Sequence, residues 1–102
     1  LRISQFHDKG SNVQAVDDLA VVDFVGFNPG AENLYVECPT SSVSNLRVVN
    51  AQLVGGTKGV VWDGPTSSVA ETNYISAAVR GQTEAKFDVP ASDGLGVMDL
   101  TI

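Results

Sequence analysis

The feature that most constrains the fold is a two-residue alternation of apolar and polar side chains in short segments. In residues 83–89, Ala85, Phe87 and Val89 alternate with charged residues, and residues 33–38 follow the same pattern. Successive side chains of a β-strand point to opposite faces, so the alternation predicts strands with one buried and one solvated face. Strands of this kind are typical of antiparallel sheets.

Two Val-rich segments, 19–27 and 46–54, are apolar over most of their length, which predicts central strands covered on both sides. Shorter apolar or alternating segments supply the remaining strands: 1–6, 60–63, 73–80 and 97–102. Turns rich in Gly, Pro and Asn separate these segments. We therefore predict an all-β chain with about 7–8 strands in a single antiparallel β-sandwich, Ig-like or jelly-roll-like, over residues 1–102. No internal repeat or linker divides the chain.

The charge pattern and the lengths of the apolar runs exclude two classes of partner. The 102 residues include 12 acidic and six basic residues, with a net charge of −6 spread evenly over both halves. Because no cluster of Lys and Arg could neutralise phosphates, we expect no nucleic-acid binding. No apolar run approaches the roughly 20 residues that span a bilayer, so we expect no membrane span.

The residues most often used in catalysis are scarce. Cys38 lies on the apolar side of its alternating segment beside Glu37, so we expect a buried structural thiol. His7, the one histidine, lies in an apparent turn before Asp8. Catalytic triads and transition-metal sites need several such groups together. We therefore expect no enzyme activity, no catalytic residues and no cofactor.

Two weak binding sites remain open. Asp88 and Asp93 flank a turn whose backbone carbonyls could complete a calcium site, although Asp and Gly are also ordinary turn formers. Tyr35, Trp62 and Tyr74 could stack on sugar rings; Tyr35 is the best placed because it lies on the wet face of its strand. Calcium and carbohydrate therefore remain low-ranked ligand candidates.

The two ends of the chain carry strand-like segments that lack the Pro and Lys residues with which proteins usually protect sheet edges. Unprotected edges can pair within their own domain or add to a neighbouring sheet. The candidate interface residues are apolar and lie in these two end segments: Leu1, Ile3, Phe6, Met98, Leu100 and Ile102.

These observations favour a structural role. We predict an extracellular or cell-surface assembly subunit, such as a pilin-like filament component, that packs with copies of itself or with another structural protein. The first residue is Leu1 rather than Met, so either a leader has been removed, which would indicate export, or the chain is a cut domain. A capsid-decoration protein of a virion is the first alternative, because residues 77–89 faintly resemble small phage decoration proteins over too little of the chain to identify a family. A carbohydrate- or calcium-binding adhesin module is the second alternative.

Overall fold

The computed structural model describes residues 1–6, 15–27, 30–64, 73–89 and 95–101, and this part of the chain contains β-strands and no helix. The strands are β1 Arg2–Ser4, β2 Val16–Asp17, β3 Ala20–Val22, β4 Val25–Phe27, β5 Leu34–Glu37, β6 Val43–Ser44, β7 Arg47–Val54, β8 Lys58–Asp63, β9 Asn73–Arg80, β10 Ala85–Asp88 and β11 Leu95–Asp99. The predicted strand at 73–80 is confirmed, and both end segments contain a strand.

The strands form three sheets in which every described pairing is parallel. The first sheet has the order β1-β5-β8-β10, and the second has the order β3-β7-β9-β11 with β4 also paired to β7. A third sheet contains only β2 and β6. The predicted antiparallel β-sandwich is therefore wrong, although the all-β class is correct.

Paired residues in the central part of the chain are separated by a nearly constant number of residues in the sequence. Ala20 pairs with Arg47, and Arg47 pairs with Tyr74, so each step covers 27 residues. In the first sheet the step from Leu34 to Val60 covers 26 residues. The chain thus winds in coils, each contributing a strand to the first sheet and then to the second, which is the architecture of a parallel β-helix. The prediction that the chain has no internal repeat is wrong.

We number the coils along the chain. Coil 1 contains β1 to β4, coil 2 contains β5 to β7, coil 3 contains β8 and β9, and coil 4 contains β10 and β11. Each coil supplies the long crossover that a parallel strand pair requires.

The core lies between the inner faces of the first and second sheets. The first sheet contributes Leu34, Val36, Val60 and Trp62, and the second contributes Val48, Leu53, Ile75 and Val79, all at most 6% exposed. The strand register places apolar side chains of neighbouring coils directly on one another, as with Leu53 of β7 and Val79 of β9. Burial of one face per strand explains the alternation, while the outer face of each sheet remains in contact with solvent.

The coil bends where the sequence places residues that tolerate a left-handed backbone. Asp18 and Asn45 have φ of 55° and 51°, and the Asn45 amide donates a 2.9 Å hydrogen bond to the Asp18 carboxylate. Asp23 and Asn50, with φ of 58° and 56°, repeat this arrangement at 2.9 Å. Asn and Asp are the non-glycine residues best suited to this conformation. Each stacked pair therefore fixes a backbone bend at equivalent positions of coils 1 and 2.

Candidate functional site

The outer face of the first sheet is polar. The Arg2 guanidinium lies 5.1 Å from the centroid of the Tyr35 ring and 3.4 Å from a Glu37 carboxylate oxygen. Farther along the sheet, the Lys58 ammonium lies 2.7 Å from the Asp88 carboxylate. The hydrogen bond to Asp88 and the charge of that carboxylate raise the pKa of Lys58 above its ordinary value. Charged side chains on this face thus pair with one another between neighbouring coils.

The outer face of the second sheet combines large exposed apolar side chains with the polar Arg47, Gln52 and Arg80. Its exposed large apolar side chains are Val22, Val25, Phe27, Val49, Met98 and Leu100, which are 38–74% exposed. Phe27, at 74%, is the most exposed of them. The Tyr74 hydroxyl on the same face donates a 3.6 Å hydrogen bond to the Met98 sulfur. We call this surface the apolar face.

Sequence reasoning missed half of the apolar face. The segment 19–27 was predicted to be a central strand covered on both sides, but Val22, Val25 and Phe27 point outward and are exposed. Their inward neighbours Val21 and Phe24 pack against the core. The missed signal is a match at 27-residue spacing: Leu-Ala-Val-Val-Asp at 19–23 corresponds to Leu-Arg-Val-Val-Asn at 46–50.

The described strands leave unpaired edges at both ends of the coil. At one end, β1, β3 and β4 pair only with strands of coil 2, and at the other, β10 and β11 pair only with strands of coil 3. These edges carry free backbone donors and acceptors, which are suited to strand addition.

The predicted interface residues do not all reach the surface. Exposed fractions are 43% for Leu1, 46% for Phe6, 49% for Met98 and 38% for Leu100. Ile3 is only 6% exposed and belongs to the core. Ile102 lies outside the described residues.

One ion pair spans the two main sheets in coil 4. The Lys86 ammonium of β10 lies 3.7 Å from the Asp99 carboxylate of β11. A hydrogen bond from the Thr101 backbone N–H is the largest cause that lowers the pKa of Asp99, and Lys86 lowers it further. This pair places a polar group at the end of the coil.

Cys38 is fully buried, as expected of a structural thiol. Burial is the main cause that raises the pKa of the Cys38 thiol, and the charges of Glu37 and Asp63 raise it further. A hydrogen bond involving the Gln5 backbone acts in the opposite direction. The thiolate is therefore disfavoured, which opposes nucleophilic or redox chemistry at this position.

The calcium, carbohydrate and histidine candidates are not assembled into a site by the described residues. Asp88 binds Lys58, while Asp93 and His7 lie outside the described part of the chain. Within that part, no group of three or more His, Cys, Asp or Glu side chains could hold a metal ion.

The three aromatic candidates occupy different surfaces. Tyr35 lies on the outer face of the first sheet beneath Arg2, and Tyr74 lies on the apolar face. Trp62 points into the core at 6% exposure. Among the described residues these rings therefore form no common platform on which a sugar could stack.

Comparisons with family models, with curated proteins and with solved structures give no match. In the described ranges there is no helix that is long and apolar enough to cross a bilayer.

Proposed function

We propose that the chain is a non-enzymatic structural subunit that assembles with copies of itself or with a partner protein through its apolar face and its strand edges. The observation that carries this proposal is the contrast between the two main sheets. Outer side chains of the first sheet form ion pairs, whereas those of the second include six large exposed apolar side chains alongside the polar Arg47, Gln52 and Arg80. A concentration of exposed apolar side chains on one face is typical of an interaction site.

The size of the apolar face supports the proposal. Its six large side chains expose on the order of 500 Å², close to the upper end of the largest patches on ordinary monomers. Covering this area on two copies, together with the surrounding polar rim, would reach the lower range of stable interfaces, about 1,200 Å² in total. Burial of that much surface lies within the range that specific interfaces use.

The setting of the assembly is part of the proposal. We place it outside the cell, in a filament or surface fibre, with a virion surface as the alternative setting. The net charge of −6 supports solubility of the unassembled chain and gives no affinity for polyanions. The adhesin alternative has no comparable support, because its aromatic candidates lie on separate surfaces.

The proposal is tested by multi-angle light scattering of the purified chain over a wide concentration range. We expect the weight-average mass to rise with concentration. Val49→Lys places a charge in the middle of the apolar face and should lower the mass at each concentration. The matched control, Val61→Lys, places the same charge on the outer face of the first sheet, where Val61 lies between Tyr35 and Asp88 in register.

Circular dichroism of both variants verifies that the fold is retained. A wild-type chain that remains monomeric at millimolar concentration would contradict the proposed function. Equal loss of mass in Val49→Lys and Val61→Lys would show that the apolar face has no special role.

A further inference from the structure

The two ends of the coil carry complementary residues in the same register columns. In the first sheet, one column runs from Arg2 through Tyr35 and Val61 to Asp88. The column therefore begins with a cation in coil 1 and ends with an anion in coil 4. The side chains of Arg2 and Asp88 are 61% and 55% exposed, so both are accessible to a further partner.

In the second sheet, an apolar column also begins and ends with residues that could pack against each other. One column contains Val21, Val48, Ile75 and Val97, and every member is an aliphatic β-branched residue. Val97, at the coil-4 end, is 36% exposed, and Val21 is only partly buried. Stacking one end on the other would place valine on valine, as already occurs between coils 1 and 2.

We propose that coil 1 of one copy stacks on coil 4 of a second copy in the register that already joins the coils, so that the β-helix continues from copy to copy. This inference rests on the proposed function and identifies its partner and geometry. Asp88 of one copy would meet Arg2 of the next, and Val97 would meet Val21. The free backbone groups of the two edges would join as parallel ladders.

Such a contact joins two different surfaces, head to tail. Because each added copy presents a new free end, the assembly is an open filament rather than a closed dimer. The outer side chains of Val25 and Leu100 would become neighbours, so the apolar faces of successive copies would adjoin along the filament. Lateral contacts between filaments could then use that face.

The Lys86–Asp99 ion pair limits the strength of this contact. Stacking removes both groups from water, and desolvation of a charged pair opposes association even when the pair remains intact. We therefore expect assembly that depends on concentration rather than permanent association. Replacement of the pair by Lys86→Met and Asp99→Leu should strengthen end-to-end assembly.

Cysteine cross-linking tests the register. The column of Val25 continues through Gln52 and Ala78 toward Leu100, whose backbone N–H bonds the Ala77 carbonyl at 2.8 Å. Within one copy, three strand spacings of roughly 4.8 Å separate Val25 from Leu100, which is too far for a disulfide. Between stacked copies the same positions would be one spacing apart. Val25→Cys/Leu100→Cys should therefore form disulfides between copies under mild oxidation.

The matched control is Val22→Cys/Leu100→Cys, which shifts one cysteine by three residues, roughly 10 Å along the strand. Both pairs use exposed positions, and the buried Cys38 is common to both. We expect a ladder of dimers, trimers and larger species on non-reducing gels for the first pair. The control should give less than a tenth of that product.

Three outcomes would overturn the inference, and they differ in what they imply for the proposed function. Equal cross-linking of both pairs would show random collision. Absence of a ladder while light scattering reports assemblies would show that copies associate by another surface, which leaves the proposed function intact. Absence of a ladder from a chain that is also monomeric would contradict both proposals.

Discussion

The Gly59→Ala substitution provides a sensitive test of coil packing. Gly59 lies in β8 and is buried; a Cβ added there would overlap the Val79 Cγ1 atom and lie 2.5 Å from the Lys86 carbonyl oxygen. Lys86 follows Gly59 by 27 residues, so this clash exists because β10 stacks on β8 in parallel. The Val79 methyl could move slightly, but the carbonyl belongs to the backbone of a neighbouring strand.

The expected cost follows from these two contacts. Overpacking of a tight interior costs about 1–3 kcal/mol, and the backbone contact places this site near about 3 kcal/mol. Changing Gly to Ala also lowers the conformational entropy of the unfolded chain, which offsets about 0.4–1 kcal/mol of this cost. We therefore expect the free energy of unfolding to fall by about 2 kcal/mol.

Urea denaturation measures this change against a matched control. Gly30→Ala introduces the same methyl group where nothing lies within 4 Å, so its free energy of unfolding should stay within about 0.5 kcal/mol of wild type. With a urea slope of about 2 kcal/mol/M, Gly59→Ala should lower the midpoint by about 1 M. Equal midpoints for the two variants would refute the described packing of β8 against β10.

Further predictions concern other single residues. Asn45→Ala should reduce the free energy of unfolding by about 1 kcal/mol more than Asn45→Gly, because both lose the amide hydrogen bond but only Ala strains the left-handed backbone; urea titration compares them. Gln5→Ala should cost about 2–4 kcal/mol in the same assay, since it removes three hydrogen bonds to the turn at residues 40–41. Cys38 should react with Ellman's reagent at pH 8 far more slowly in the native chain than in urea, and equal rates would contradict its burial. Because the folded-state pKa of Asp99 is lowered, its contribution to stability is present above the ordinary Asp pKa of about 3.9 and is lost as pH falls through the folded value; the stability difference between wild type and Asp99→Asn should shrink accordingly on acidification.

Much of the strand pattern could be predicted from the sequence, because it depends on local alternation. Residues 34–37 and 85–88 are strands, and their apolar members lie inward of their charged members. Strand direction could not be obtained in this way, since a period of two is common to parallel and antiparallel strands. One wet face per strand is typical of antiparallel sheets, but a β-helix also covers only the inner face of each parallel sheet.

Only the part of the candidate surface that lies in the end segments could be named from the sequence. Of the interface candidates in the end segments, Met98 and Leu100 are exposed, whereas Ile3 turns inward beside Val36 and Trp62. Val22 and Val25 could have been assigned outward only by aligning their segment with Val49 and Gln52 in coil 2. The required information is a long-range repeat, which a reading of one segment at a time does not reveal.

The parallel winding is tested most directly by nuclear Overhauser effects between backbone protons of the isotopically labelled chain. We expect cross-strand contacts that join Val21 to Val48, Val48 to Ile75 and Ile75 to Val97, with partner numbers rising together along each strand pair. Contacts in which the partner number falls as the residue number rises would show antiparallel pairing and contradict the coiled architecture.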